Sequence, residues 1–68
     1  MDEFTITGDY IELDKLLKAA RLCGTGGEAR IVISEGLVTV NGETELRLRR
    51  KVLPGMIVCY DGQTLTVR

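Results

Sequence analysis

The sequence contains no histidine and no tryptophan, a single proline (Pro54), a single serine (Ser34) and two cysteines, Cys23 and Cys59. Each shortage removes a class of function. Without histidine, neither a Ser–His nor a Cys–His nucleophile pair can be assembled. Zinc sites need four ligands, usually in close-spaced pairs, and two distant cysteines supply none. They read instead as reduced thiols packed like small apolar side chains. A structural disulfide is not expected, because the acidic start Met1-Asp2-Glu3 stands where a secretory leader would be basic. No apolar run approaches the roughly 18 residues of a membrane span. Aromatics amount to 4%, namely Phe4, Tyr10 and Tyr60, scattered along the chain. The expectation is a soluble cytoplasmic protein with no catalytic constellation, metal or cofactor.

What is present suffices for one small domain over residues 1–68, with 44% hydrophobic and 28% charged residues. A domain of this size buries only about 60% of the surface of its unfolded chain, so its stability is marginal. Nine basic residues against ten acidic ones leave a net charge of −1, but the charges are segregated. Residues 1–14 carry five acids and no base, and residues 15–30 carry Lys15, Lys18, Arg21 and Arg30 against Glu28. Residues 31–46 carry only Glu35, Glu43 and Glu45, and then Arg47, Arg49, Arg50 and Lys51 place four positive charges in five residues. A polyanion meets a local patch rather than the average.

The hydropathy pattern divides the chain into short elements. Phe4 to Thr7 alternates as a strand that Gly8-Asp9 breaks. Leu13, Leu16, Leu17 and Ala20 form the apolar stripe of a helix with Lys15, Lys18 and Arg21 facing solvent. Cys23-Gly24 is expected to end it, with Gly24 in the left-handed position. Thr25 and Glu28 form a capping-box pattern for a second helix that buries Ala29, Val32 and Ile33 and stops at Gly36. Gly26-Gly27 admits two readings: a tight inter-helix turn needing positive φ, or an open helix start that accepts an anion. Val38 and Val40 then alternate with Leu37 and Thr39 into an Asn41-Gly42 hairpin, and Glu43 to Glu45 returns. If extended, Arg47, Arg49 and Lys51 point one way, and Leu48 and Arg50 the other. Pro54-Gly55 is a turn, and a last hairpin runs from Met56 to Val67 around Asp61-Gly62. The class is α+β: two helices packed beside a small, mostly antiparallel sheet.

Three segments occur in order: Leu13-Asp14-Lys15-Leu16-Leu17, Thr25-Gly26-Gly27-Glu28-Ala29-Arg30 and Glu35-Gly36-Leu37-Val38-Thr39-Val40-Asn41-Gly42. With Val52-Leu53-Pro54-Gly55-Met56-Ile57 they resemble the alpha-L RNA-binding motif of the S-four domain over about residues 11–58. Within it they resemble the small stand-alone bacterial proteins of the YbcJ and YaaA type. The resemblance implies a non-catalytic protein whose two helices and hairpin present a basic surface to structured RNA, mainly to its phosphates. Carried over residue by residue, the RNA-binding set is Lys15, Lys18, Gly26, Gly27, Arg30, Arg47, Arg49, Arg50 and Lys51. The chain departs from the broader pattern at Glu12, Gly26, Ile31, Ser34, Leu37 and Thr39, where the family often has basic residues.

Duplex RNA is bound by shape, phosphates and 2′-hydroxyls, whereas single-strand readers stack bases on aromatics. The composition therefore points to structured RNA, ribosomal or transfer RNA among the candidates, with little sequence preference and no membrane. Two other readings stay open. The charges form a solvated face, or the domain is a protein-interaction adaptor that uses Ile31 and Leu37.

Overall fold

The computed structural model describes residues 2–68. Strand β1 (Asp2–Phe4) leads through a loop to a two-residue strand β2 (Ile11–Glu12), helix α1 (Leu13–Ala19) and helix α2 (Gly26–Ser34). Strands β3 (Val38–Val40), β4 (Glu43–Thr44), β5 (Lys51–Val52), β6 (Ile57–Tyr60) and β7 (Gln63–Val67) follow. One sheet has the order β1-β7-β6-β3-β4, with β1 parallel to β7 and the other pairs antiparallel. β2 and β5 form a separate antiparallel pair. Among the described residues, no helix is long and apolar enough to cross a membrane.

The core lies between the helix pair and the sheet. Leu13, Leu16 and Leu17 of α1 and Ala29 and Ile33 of α2 have no exposed surface, and they cluster with Val38, Val52, Val58 and Val67. Each fully buried Leu, Ile or Val contributes about 1.5–3 kcal/mol relative to exposure. Cys23 is buried in the same cluster and Cys59 is half-buried; both are free thiols. The two hairpins are as the turn residues predict. Asn41 and Gly42 have φ of 52° and 83°, and Asp61 and Gly62 have φ of 52° and 75°, the positive pair that a type I′ turn requires.

Five expectations change. The first strand is Asp2–Phe4 rather than Phe4–Thr7, although its pairing continues outside the ladder through Ile6 N–H donating to the Arg68 carbonyl (3.0 Å). Helix α1 ends earlier than Cys23-Gly24, and the left-handed position belongs to Arg21 (φ 63°), not Gly24. There Arg21 N–H donates to the Lys18 carbonyl and Leu22 N–H to the Leu17 carbonyl, a complete Schellman closure without glycine. Gly26 and Gly27 have no positive φ; they are the first two residues of α2, which removes the tight-turn reading. The Thr25 hydroxyl accepts from Glu28 N–H (3.1 Å) as predicted, but the Glu28 carboxylate accepts from Gly24 N–H (2.7 Å), one residue before the usual partner. Finally, the basic run is bent rather than extended. Arg50 N–H donates to the Arg47 carbonyl (3.4 Å) across a turn, and only Lys51 of the five residues enters a strand.

Candidate nucleic-acid interface

The bend exists because the run is fastened at both sides. Glu45 N–H donates to the Val38 carbonyl (3.0 Å), holding the incoming chain beside β3. On the other side the run docks on the start of α1. Leu13 N–H donates to the Arg50 carbonyl (2.9 Å) and Asp14 N–H to the Leu48 carbonyl (3.0 Å). The first amides of a helix lack partners of their own, so these two carbonyls satisfy them. The pairing continues outward as Ile11 opposite Val52 and Glu12 opposite Lys51. Leu48 packs against the core and Val52 is fully buried. Between them Arg49 and Lys51 are left at the surface, while Arg50 is half-buried with its Nε covered.

Two glutamates organise those side chains. The Glu45 carboxylate accepts from Arg47 Nε (2.9 Å), Nη2 (3.1 Å) and the backbone N–H (3.0 Å), and lies 3.6 Å from Arg50 Nε. The Glu12 carboxylate meets Lys15 Nζ (3.1 Å) on α1 and Arg49 Nε (2.9 Å) on the run. The acids lie beneath the bases: Glu12 and Glu45 side chains are 15% and 12% exposed, whereas Lys15, Arg47 and Arg49 are 72%, 70% and 81% exposed. Solvent therefore meets the cations. The hydrogen bond from Arg47 lowers the Glu45 carboxyl from 4.5 to about 2. Hydrogen bonds from Arg49 and then Lys15 hold Glu12 below its ordinary value, and the same contacts raise Arg47 and Arg49. These carboxylates stay ionised at neutral pH and keep the forked guanidinium groups in place.

Arg47, Arg49, Arg50 and Lys51 line an open cleft of about 530 Å³. Lys51 has no ion pair among the described residues; its ammonium lies 4.9 Å from the centre of the Tyr10 ring. The structure thus brings together Lys15, Arg47, Arg49, Arg50 and Lys51 of the residues singled out in the sequence. Lys18 and Arg30 are exposed on α1 and α2 and make no ion pair among the described residues. Gly26 and Gly27 open the first turn of α2, where an added Cβ meets nothing closer than 3.8 Å. The carboxylate of Glu28 already lies at that helix start. Among the described residues, no group of three or more His, Cys, Asp or Glu is placed to hold a metal ion.

Sequence reasoning missed Glu12 and Glu45 as counter-ions and Tyr10 as a neighbour of the run. The Glu12–Lys15 spacing on a helix start was readable as an i, i+3 pair. The Glu12–Arg49 pair spans 37 positions and leaves no local signal.

Comparison with known proteins follows the same outline. The family model of the S4 domain matches residues 4–68. YbcJ of Escherichia coli, named as a candidate RNA-binding protein, is 38% identical over 58 residues, covering 85% of this chain and 83% of its own. YbcJ of Shigella flexneri matches with the same identity and coverage. The solution structure of Escherichia coli YbcJ, described as revealing an alpha-L motif involved in RNA binding, superposes with a TM-score of 0.76 at 35% identity. That match covers 98% of this chain and 86% of the other. The chain belongs to the S4 domain family.

Proposed function

We propose that this member of the S4 domain family is a non-catalytic RNA-binding protein that holds structured RNA through its phosphates. The observation that carries the reading is the cleft lined by Arg47, Arg49, Arg50 and Lys51, joined to Lys15 through the shared carboxylate of Glu12. Two carboxylates, Glu12 and Glu45, are set against five cations, and a bound polyanion offsets the excess positive charge. Three of the five are arginines, whose planar forks suit phosphate oxygens. The names given to YbcJ and to its structure point the same way. Lys18, Gly26, Gly27 and Arg30 serve in this reading as outlying contacts. An anion at Gly26-Gly27 has to share the helix start with Glu28, so the weight falls on the cleft.

The experiment is a titration of a hairpin RNA at several salt concentrations. About four to six phosphate contacts give a log–log salt slope of about −3 to −5. A flat salt response, or no binding at low salt, overturns the reading. The adaptor alternative rests on Ile31 and Leu37, which are 59% and 53% exposed. It gains if Ile31→Ser with Leu37→Ser abolishes recovery of a protein partner while RNA binding is absent.

A further inference from the structure

We propose that a second cleft beside the basic one takes an unpaired nucleobase of the bound RNA, with Tyr10 as its stacking platform; the inference rests on the RNA-binding reading above. This cleft, about 270 Å³, is walled by Phe4, Thr5, Ile6, Thr7, Tyr10 and Ile11. Two contacts connect its walls to those of the basic cleft. Lys51, which lines the basic cleft, places its Nζ 4.9 Å from the Tyr10 ring centre, and Ile11 of the second cleft pairs with Val52 in the ladder that carries Lys51.

The chemistry of the walls suits a base. Tyr10 is 45% exposed, an aromatic surface that folding leaves partly open beside Lys51. The hydroxyls of Thr5, Thr7 and Tyr10 have no hydrogen-bond partner among the described residues. They offer donors and acceptors around an apolar floor. Sites for drug-sized ligands start at roughly 300 Å³, so this smaller cleft suits one planar group. Paired bases have their faces covered by neighbours in the stack, and only an unpaired base is free to lie on an aromatic ring. Lys51 supplies the charge such a nucleotide requires. Arg47, Arg49 and Arg50 each have a glutamate partner, whereas the Lys51 ammonium has none among the described residues and stands at the junction, within reach of the phosphate that follows the base.

The test compares the wild type with Tyr10→Ala and Tyr10→Phe on two probes: a blunt hairpin RNA, and the same hairpin with a short unpaired tail carrying a fluorescent adenine analogue. In the wild type and Tyr10→Phe the tail should raise affinity about tenfold, the order expected for one stacked base, and the fluorophore should be quenched. In Tyr10→Ala the gain and the quenching should both vanish, while affinity and salt slope for the blunt hairpin stay unchanged. Equal binding of both RNAs by the wild type overturns the subsite and leaves the RNA-binding reading standing. So does an equal loss on both probes in Tyr10→Ala. Failure of the blunt hairpin to bind at low salt removes both.

Discussion

The chain carries two groups of cations, and the fold treats them differently. Lys18, Arg21 and Arg30 sit on or just after the helices, exposed, with no ion pair among the described residues. Arg47, Arg49 and Arg50 are each tied to a carboxylate that is itself largely covered. The first group is positive charge on flexible stems. The second is positive charge held in position. A ligand that contacts the second group finds side chains already placed, and less rotamer entropy is lost on binding. The contrast also separates charge number from usefulness: the basic run was conspicuous in the sequence, but Glu12 and Glu45 give it geometry.

The largest effect should come from removing the organised cations. Arg47→Ala with Arg49→Ala is expected to lower the salt slope by about two and weaken hairpin RNA at least tenfold. Lys18→Ala with Arg30→Ala, an equal charge change, should cost less in both. Both double variants should stay folded by circular dichroism, since all four side chains are exposed. Equal losses would show that position on the patch matters little and dissolve the comparison.

A second, smaller effect concerns the carboxylates. The Glu45 pKa in the folded protein, about 2, lies below its ordinary 4.5. The unfolded chain therefore binds more protons than the native one between these values. The stabilisation that Glu45 gives is present above pH 4.5 and is lost as the pH falls towards 2. Glu12 shifts in the same direction. Thermal melts should show the wild type losing stability across that window and Glu45→Gln losing less of it. An identical acid dependence in both proteins would mean that the carboxylate does not hold the arginines in solution.

The smallest effects test the unorganised side. Arg21 occupies a left-handed conformation that a side chain disfavours by roughly 1–2 kcal/mol. Glycine there relieves this cost but gives the unfolded chain more freedom. Arg21→Gly should therefore stabilise by about 0.5–1 kcal/mol, a rise in melting temperature of a few degrees, with RNA affinity unchanged. Gly27→Ala, where space is open and φ is not positive, should add about 0.5 kcal/mol. A loss of RNA affinity in Gly27→Ala would extend the interface to the start of α2.

Much of the fold was legible because its signals are local. The α1 stripe at Leu13, Leu16 and Leu17, the Thr25 cap, the Gly36 stop and the two positive-φ pairs at Asn41-Gly42 and Asp61-Gly62 are all decided within a few residues. The Gly24 expectation failed because Arg21 closes the helix sooner. The Schellman bonds and the burial of Leu17 and Cys23 outweigh the conformational cost of the arginine. The paired strands β2 and β5 were invisible, since two residues are too few to show a period.

The sequence by itself determined the two helices and the two hairpins, the apolar faces that make the core and the presence of a dense basic run. Hydropathy period, turn residues and charge are properties of neighbours along the chain. Only the tertiary structure decided that the run would bend, that its carbonyls would cap α1, that Glu12 would join Lys15 to Arg49, and that Tyr10 would stand beside Lys51. These are meetings between distant segments, enforced by the need to satisfy the first amides of α1 and to bury Val52 and Leu48, and no pattern of neighbours encodes them.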